Sequence, residues 1–265
     1  MTSDPAHPPC CPLPVTILGI DIGGSGIKAA PVDVTNGKLL ARRHRLDTPQ
    51  PSRPKAVAKL VAALVKHFDW QGPIGVTMPA RVKKGVTLTA ANIDNKWIGT
   101  DAAYLFEKTT GCPTLVLNDA DAAGVAEMAF GAGRDAMGIV LMLTFGTGIG
   151  SGFFMDGRLV PNTELGHLIM HGVKAEAYAA DSARRLNKLS WKAWGGRVQE
   201  YLDHVEFLFA PDLIILGGGV SRPNKYKNYL HLLATQADLV PAQLQNEAGI
   251  IGAACAARIL AKDDA

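Results

Sequence analysis

Two glycine-rich segments, each at the end of an apolar run, constrain the fold of this chain more than any other feature of its sequence. The first runs from Ile17 to Lys28, and the second, from Leu141 to Gly152, begins just past the middle of the 265 residues. Each pattern predicts a strand that enters a tight turn, because glycine reaches positive φ and carries no side chain that would keep an anion away. Exposed N–H groups in such a turn form a cradle for phosphate. Two cradles predict a string of phosphates held from both sides.

The two segments open two halves of similar organisation. Apolar runs and hairpin signals predict three strands in each half, at 15–22, 26–34 and 39–46 and again at 138–145, 150–155 and 158–160. Further strands are predicted at 73–78, 114–117 and 211–216, and helices at 54–68, 102–110, 120–130, 191–209 and 248–260. The repeated order predicts an α/β protein with duplicated mixed β-sheets.

Composition limits the classes of protein that fit. With 48% hydrophobic and 19% charged residues the chain can bury a core and is unlike a disordered protein. A net charge of +3 gives no argument for a nucleic-acid partner. Four cysteines without a disulfide framework or a CxxC metal pattern fit a reducing, cytoplasmic compartment. We expect residues 1–13, polar and proline-rich, to be a disordered arm, and we expect neither a secretory signal nor a membrane partner.

Short motifs near the glycine segments suggest chemistry. Asp21, in the first turn, is placed to hold a metal ion beside phosphates, directly or through water. Asn118-Asp119 stands where a predicted strand meets a helix, at the sheet edge where ligands bind. A carboxylate there can serve as a base toward a hydroxyl, or it can simply cap the helix. With Glu164-Leu165-Gly166-His167, these motifs resemble the ROK family of sugar kinases and repressors over residues 13–260, and within it the bacterial polyphosphate glucokinases and glucomannokinases.

The resemblance implies an actin- and hexokinase-like (ribonuclease H-like) ATPase fold with two lobes. We expect a small lobe of residues 14–119 plus 247–262, onto which the C-terminal helix packs back. The larger lobe is expected to comprise residues 120–246, with a cleft between the lobes and a hinge near 120–124.

The family also implies an activity: transfer of a terminal phosphoryl group from inorganic polyphosphate, ATP or both to the 6-hydroxyl of glucose, with Mg²⁺ as cofactor. Asp119 is the implied catalytic base. The implied sugar-binding residues are Pro79, Ala80, Asn92, Asn118, Asp119, Glu164, His167 and Glu176. The implied phosphate- and nucleotide-binding residues are Asp21, Gly23, Gly24, Ser25, Gly26, Lys28, Thr144, Gly146, Thr147, Gly148, Gly217, Gly218 and Gly219, with Asp21 as the magnesium ligand.

The phosphate donor and the partners stay open at this point. Basic segments at 184–197, 222–227 and 81–84 suit a long polyanion, but they also suit a solvated surface. An ATP-only hexose kinase and a sugar-binding transcriptional regulator are the alternatives within the family, and an actin-like ATPase is a third. The regulators carry a DNA-binding segment before the sugar domain, for which the residues ahead of the first strand are too few. Mannose acceptance and a homodimer are undecided.

A structural zinc ion, common in the family, is not expected. The segment that follows His167 contains His171 but no cysteine. Tetrahedral zinc requires several sulfur or imidazole ligands, and one histidine does not supply them.

Overall fold

The structure, a computed structural model, describes residues 15–261, so the arm predicted at 1–13 lies outside the described residues. Its strands are β1 (Thr16–Ile22), β2 (Gly26–Asp33), β3 (Lys38–Leu39), β4 (His44–Asp47), β5 (Ile74–Met78), β6 (Val82–Lys83), β7 (Val86–Thr87), β8 (Thr114–Asn118), β9 (Ile139–Phe145), β10 (Ile149–Met155), β11 (Arg158–Val160), β12 (Ile169–Met170), β13 (Val173–Lys174), β14 (Leu213–Gly218) and β15 (Asp238–Pro241). Its α-helices are α1 (Pro54–His67), α2 (Ala102–Thr110), α3 (Asp119–Phe130), α4 (Ala175–Ala179), α5 (Asp181–Leu186), α6 (Trp191–Phe209), α7 (Pro223–Tyr226) and α8 (Ala248–Ala256).

Two large mixed sheets repeat one topology. The first has the order β3-β2-β1-β5-β8, with β4 also paired to β2, and the second has the order β11-β10-β9-β14-β15. In each, the first strand pairs antiparallel with the next strand of the chain and parallel with a later one. Each sheet has its own core, one around Trp97 and Phe106 and one around Trp194 and Tyr201. The predicted duplication of mixed sheets is confirmed.

The C-terminal helix α8 packs across the first sheet, in direct contact with backbone. A Cβ atom on Gly19 of β1 would overlap the carbonyl oxygen of Ile250, and one on Gly252 of α8 would overlap that of Ala122 in α3. Glycine at these positions therefore permits the stacking of β1, α8 and α3, and α3 in turn packs against β10 of the second sheet. The lobe bounds 14–119 plus 247–262 and 120–246 stay a prediction, with the two sheets as the cores of the two lobes.

The glycines of the two predicted phosphate turns do not adopt left-handed backbone, and several of them permit close approach instead. Gly23 and Gly148, for example, do not have positive φ, so the expected use of that conformation is wrong there. A Cβ on Gly148 would instead overlap the carboxylate of Glu176. Gly218, at the end of β14, does adopt φ +78°.

One predicted strand is interrupted. The segment 39–46 forms the end of β3 and most of β4, and residues 40–43 between them lie outside both strands, with Arg42 and Arg43 exposed. Within residues 15–261, no helix combines the length and the apolar character needed to cross a bilayer.

Candidate active site

Asp119 begins α3 directly after β8, at the carboxyl end of a parallel strand. The capping role belongs to its neighbour: Oδ1 of Asn118 accepts hydrogen bonds from the N–H groups of Ala120 (2.8 Å) and Asp121 (3.1 Å). The carboxylate of Asp119 shares the Ala120 N–H at 2.9 Å. Because Asn118 already satisfies the helix end, the helix does not require Asp119 as its cap.

The electrostatic environment of Asp119 favours a proton. Solvent reaches the side chain, yet protein surrounds it closely enough that loss of solvation raises the pKa of Asp119 to about 7. Repulsion from the carboxylates of Asp21 and Glu164 acts in the same direction, against the hydrogen bond from Ala120. A carboxyl group that titrates near neutral pH is suited to accept a proton from a substrate hydroxyl.

Asp21 lies at the end of β1, and the register of the sheet sets its surroundings. It is opposite Lys28 in β2 and beside Thr77 in β5. Its Oδ2 lies 3.2 Å from Nζ of Lys28, and its Oδ1 accepts a hydrogen bond from the Thr77 hydroxyl at 3.0 Å. Gly249 in the first turn of α8 approaches so closely that an added Cβ would lie 3.1 Å from the carboxyl carbon. Thr77 and Gly249 were not predicted, because their proximity follows from strand register and helix packing.

Asp21 is chemically suited to a hard cation. Magnesium prefers oxygen ligands and is commonly bound by one or two carboxylates together with substrate phosphates and water. No cluster of three or more histidine, cysteine, aspartate or glutamate side chains arranged for a metal occurs in the described part of the chain. His171 lies with Nε2 2.8 Å from Glu200, and the prediction of no structural zinc stays a prediction.

Glu164 and His167, which share one 3-10 turn, converge with Glu176 of α4. Nδ1 of His167 lies 3.3 Å from Oε2 of Glu164, and its Nε2 lies 3.9 Å from Oε1 of Glu176. Burial raises the pKa of Glu164, while the nearby His167 and Arg81 act to lower it. One imidazole between two carboxylates offers a donor and several acceptors to a polyol, in which each hydroxyl can both donate and accept.

The loop after β5 completes this side of the site. The carbonyl of Ala80 accepts a hydrogen bond from Nδ2 of Asn118 at 3.2 Å, and that of Pro79 accepts one from Ala91 N–H at 3.0 Å. Asn92 follows with φ +60° and packs against the first glycine turn, since a Cβ on Gly24 would lie 3.3 Å from its carbonyl oxygen. The structure thus places Asn92 beside the phosphate turn as well as near the loop.

Asn162, in the segment after β11, links α3 and the β6–β7 hairpin and was not predicted from the sequence. Its N–H donates to Oδ2 of Asp121 in α3 at 2.8 Å. Its side chain accepts from the Val82 N–H (2.6 Å) and donates to the Val82 carbonyl (2.8 Å). The β6–β7 hairpin, which follows the loop after β5, is therefore held by hydrogen bonds to the segment that carries Glu164. Only the sequence neighbourhood of Asn162, two residues before Glu164, could have suggested a role.

Hydrogen bonds fix the phosphate turns and bring their parts together. In the first turn, Thr48 Oγ1 donates to the Gly23 carbonyl at 2.6 Å. In the second, the Gly146 N–H donates to the Gly148 carbonyl at 2.9 Å and Ser182 Oγ to that of Thr147 at 2.6 Å. The remaining predicted phosphate residues lie in the same turns or beside them. Thr144 of β9 is paired with Gly217 of β14, so the turn at 217–219 is next to the second glycine turn.

The basic segment 184–197 is less available to a polyanion than its sequence suggested. Asp181 pairs with Arg184 (2.9 Å) and Arg185 (3.2 Å), because it lies three and four residues before them in α5. Arg197 lies over the ring of Tyr178, 4.6 Å from its centre. Two of the five basic residues of this segment are therefore already paired with a carboxylate, and its role toward a polyanion stays open.

Comparison with known proteins gives a consistent result. The sequence profile of the ROK family matches residues 17–182. The chain is 49% identical to the polyphosphate glucokinase of Mycobacterium tuberculosis (strain CDC 1551 / Oshkosh) over 240 residues, which is 90% of each protein. It is similar in structure to the inorganic polyphosphate/ATP-glucomannokinase of Arthrobacter sp. strain KM, with a TM-score of 0.87 and 47% identity over 92% of this chain and 99% of that one.

A glucokinase of the same family from Streptomyces griseus, solved with glucose and AMPPNP, matches with a TM-score of 0.77 and 25% identity over 92% of this chain and all of the other. The predicted actin- and hexokinase-like fold is confirmed by these structural relatives. The matched profile, the sequence identity and the shared fold agree with the motifs on which the resemblance was based, and the chain belongs to the ROK family.

Proposed function

We propose that this protein transfers the terminal phosphoryl group of inorganic polyphosphate or ATP to the 6-hydroxyl of glucose. The relatives described above as polyphosphate glucokinases and as a polyphosphate/ATP-glucomannokinase support both the sugar and the donors. A cytoplasmic location and a homodimer are part of the proposal, and acceptance of mannose follows from the glucomannokinase likeness alone.

The observation that carries the proposal is the position of Asp119. Its carboxyl group follows the end of β8, is not needed as a helix cap, and feels the negative charges of both Asp21 and Glu164. That Asp21, of the first glycine turn, and Glu164, of the proposed sugar motif, both act on the pKa of Asp119 supports a site in which phosphate and sugar meet at this carboxyl group. We assign Asp119 as the base that accepts the proton of the 6-hydroxyl as the oxygen attacks phosphorus.

The phosphate side neutralises and positions the donor. Phosphoryl transfer depends mostly on positioning and on stabilisation of charge. We assign the turns at 23–26 and 146–148 to the terminal phosphates, the turn at 217–219 to the nucleotide side, and Lys28 to the charge of the donor. Asp21 would hold a divalent cation, Mg²⁺, which supplies positive charge to the phosphate oxygens when it is bound.

The sugar side fixes one hydroxyl in front of Asp119. Glu164, His167 and Glu176 would bind the ring hydroxyls, with Asn92, Asn118 and the Pro79–Ala80 loop shaping the opposite side. Water competes with the sugar as a nucleophile, so we expect the two lobes to close around glucose and exclude it. The link from Asn162 to Val82 would then move the hairpin together with Glu164.

The direct test is the conversion of glucose to glucose 6-phosphate by purified protein with Mg²⁺ and either donor. We expect Asp119→Asn to lower kcat by about a hundredfold or more with both donors, as loss of a general base does, and to leave glucose affinity nearly unchanged. Asp101→Asn is a matched control, because Asp101 caps α2 through the Tyr104 N–H and asparagine caps equally well. We expect it to retain wild-type activity.

The assays with ATP and with polyphosphate distinguish the alternative functions. Product with ATP and none with polyphosphate would leave an ATP-only hexose kinase. Wild-type turnover by Asp119→Asn would remove Asp119 from the mechanism, and donor hydrolysis that does not respond to sugar would favour an ATPase of another kind.

A further inference from the structure

We infer that long polyphosphate, beyond the phosphates nearest the sugar, lies along an arginine cavity between the first phosphate turn and the basic segment 222–227. This inference rests on the proposed function. The arginine cavity has a volume of about 560 Å³ and is lined by Arg42, Arg43 and Arg45, together with Leu39, Ala41 and Glu247. Its arginines were not among the predicted site residues.

One edge of the arginine cavity is joined to the first phosphate turn. Arg45 lines the cavity, and its Nη2 donates to the carbonyl of Ser25 at 2.9 Å. A Cβ on Gly26 would overlap the same guanidinium group, so the glycine allows the arginine to lie against the turn. A phosphate chain that leaves this turn therefore meets the cavity first.

The other edge of the arginine cavity is joined by hydrogen bonds to Asn246, just before α8, and through it to Arg222. Nη1 of Arg43 donates to the carbonyl of Asn246, and Nη2 of Arg222 to its side-chain oxygen, each at 3.3 Å. Asn246 lies three residues before Gly249, which packs against Asp21. The two arginines thus approach one residue from different lobes, close to the start of α8.

The chemistry of the lining favours a linear phosphate polymer over a nucleotide base. Arginine binds phosphate oxygens through two parallel N–H groups and keeps its charge at any accessible pH. The lining residues include no aromatic ring on which a base would stack. Arg42, Arg43 and Arg45 are exposed; the lining also contains Glu247, and Asp47 pairs with Arg45 at 2.6 Å.

The break in the predicted strand explains how the cavity forms. After Leu40, whose N–H still donates to the Pro31 carbonyl of β2, residues 41–43 lie outside the strands β3 and β4, so Arg42 and Arg43 are not held in a flat sheet edge. In contrast, Arg184 and Arg185 of the segment first considered for the polyanion are paired with Asp181. Arg42 and Arg43, which are exposed, therefore offer charge to a long anion on the β3–β4 side.

The test compares donors of different length in a double variant, Arg42→Gln with Arg43→Gln. We expect KM for long-chain polyphosphate to rise roughly tenfold, because two individually weak exposed charge contacts are lost. KM for ATP should change less than about twofold and KM for tripolyphosphate should change little. The dependence of the polyphosphate KM on salt should also weaken, as it does when fewer charges contact a polyanion.

The matched control removes two charges elsewhere, Lys188→Gln with Lys192→Gln, both exposed at the α5–α6 side. We expect a smaller effect on polyphosphate than the arginine variant gives. Provided that the wild-type protein is active with polyphosphate, three results would overturn the inference. They are an unchanged KM for polyphosphate in the arginine variant, an equal rise of its KM for ATP, and a larger rise of the polyphosphate KM in the lysine variant. Wild-type protein inactive with polyphosphate would instead refute the donor assignment, and the cavity assignment with it.

Discussion

The pH dependence of the reaction gives the sharpest test of the site. Asp119 must be ionised to accept a proton, and its pKa is raised to about 7 by loss of solvation and by Asp21 and Glu164. The ionised fraction of such a group falls from about 90% at pH 8 to about 10% at pH 6. We therefore expect kcat/KM for glucose, at saturating donor, to fall about tenfold between these pH values. An aspartate with an ordinary pKa near 4 would leave the rate flat over the same range.

Two variants identify the group responsible. Phosphate donors also titrate near neutral pH, so the residual activity of Asp119→Asn is measured across the same range. If Asp119 causes the fall of activity at low pH (the acid limb of the profile), this variant should not show it. A fall caused by the donor would persist. Glu164→Gln removes a negative charge that disfavours ionisation of Asp119, so its acid limb should move to lower pH even though the rate falls. An unchanged limb in Asp119→Asn, or a limb that moves upward in Glu164→Gln, would refute the reasoning.

Two further predictions concern helix packing and the link between Asn162 and the β6–β7 hairpin. Gly252→Ala should lower the free energy of unfolding by about 1–3 kcal/mol or more in denaturant titrations, because the new methyl group overlaps the Ala122 carbonyl. Gly196→Ala, in open space on α6, should instead raise it by about 0.5–1 kcal/mol, and a loss in both would contradict the argument. Asn162→Gly keeps the left-handed backbone but removes both side-chain hydrogen bonds to Val82. We therefore expect KM for glucose to rise by about threefold to tenfold in steady-state assays. An unchanged KM would show that these hydrogen bonds do not order the proposed sugar site.

The local patterns of the sequence predicted most of the elements. The helix expected at 191–209 is α6 with the same bounds, and the first two strands of each half lie where the apolar runs and hairpin signals place them. These predictions succeed because helical and strand periodicity, and turn-forming pairs such as Asn36-Gly37 and Asp156-Gly157, are properties of neighbouring residues. The candidate site residues were predicted from short contiguous motifs and from the resemblance to the ROK family, and their roles stay a prediction.

Only the tertiary structure determined the relations between segments that are distant in the sequence. The pairing of Asp21 with Thr77 depends on a parallel strand register, and the convergence of Arg43 and Arg222 on Asn246 depends on how α8 is seated. The raised pKa of Asp119 likewise comes from carboxylates about 100 and 45 positions away in the chain, at Asp21 and Glu164. Register, helix seating and mutual electrostatic repulsion are properties of atoms brought close by folding, and a linear pattern of residue types does not contain those distances.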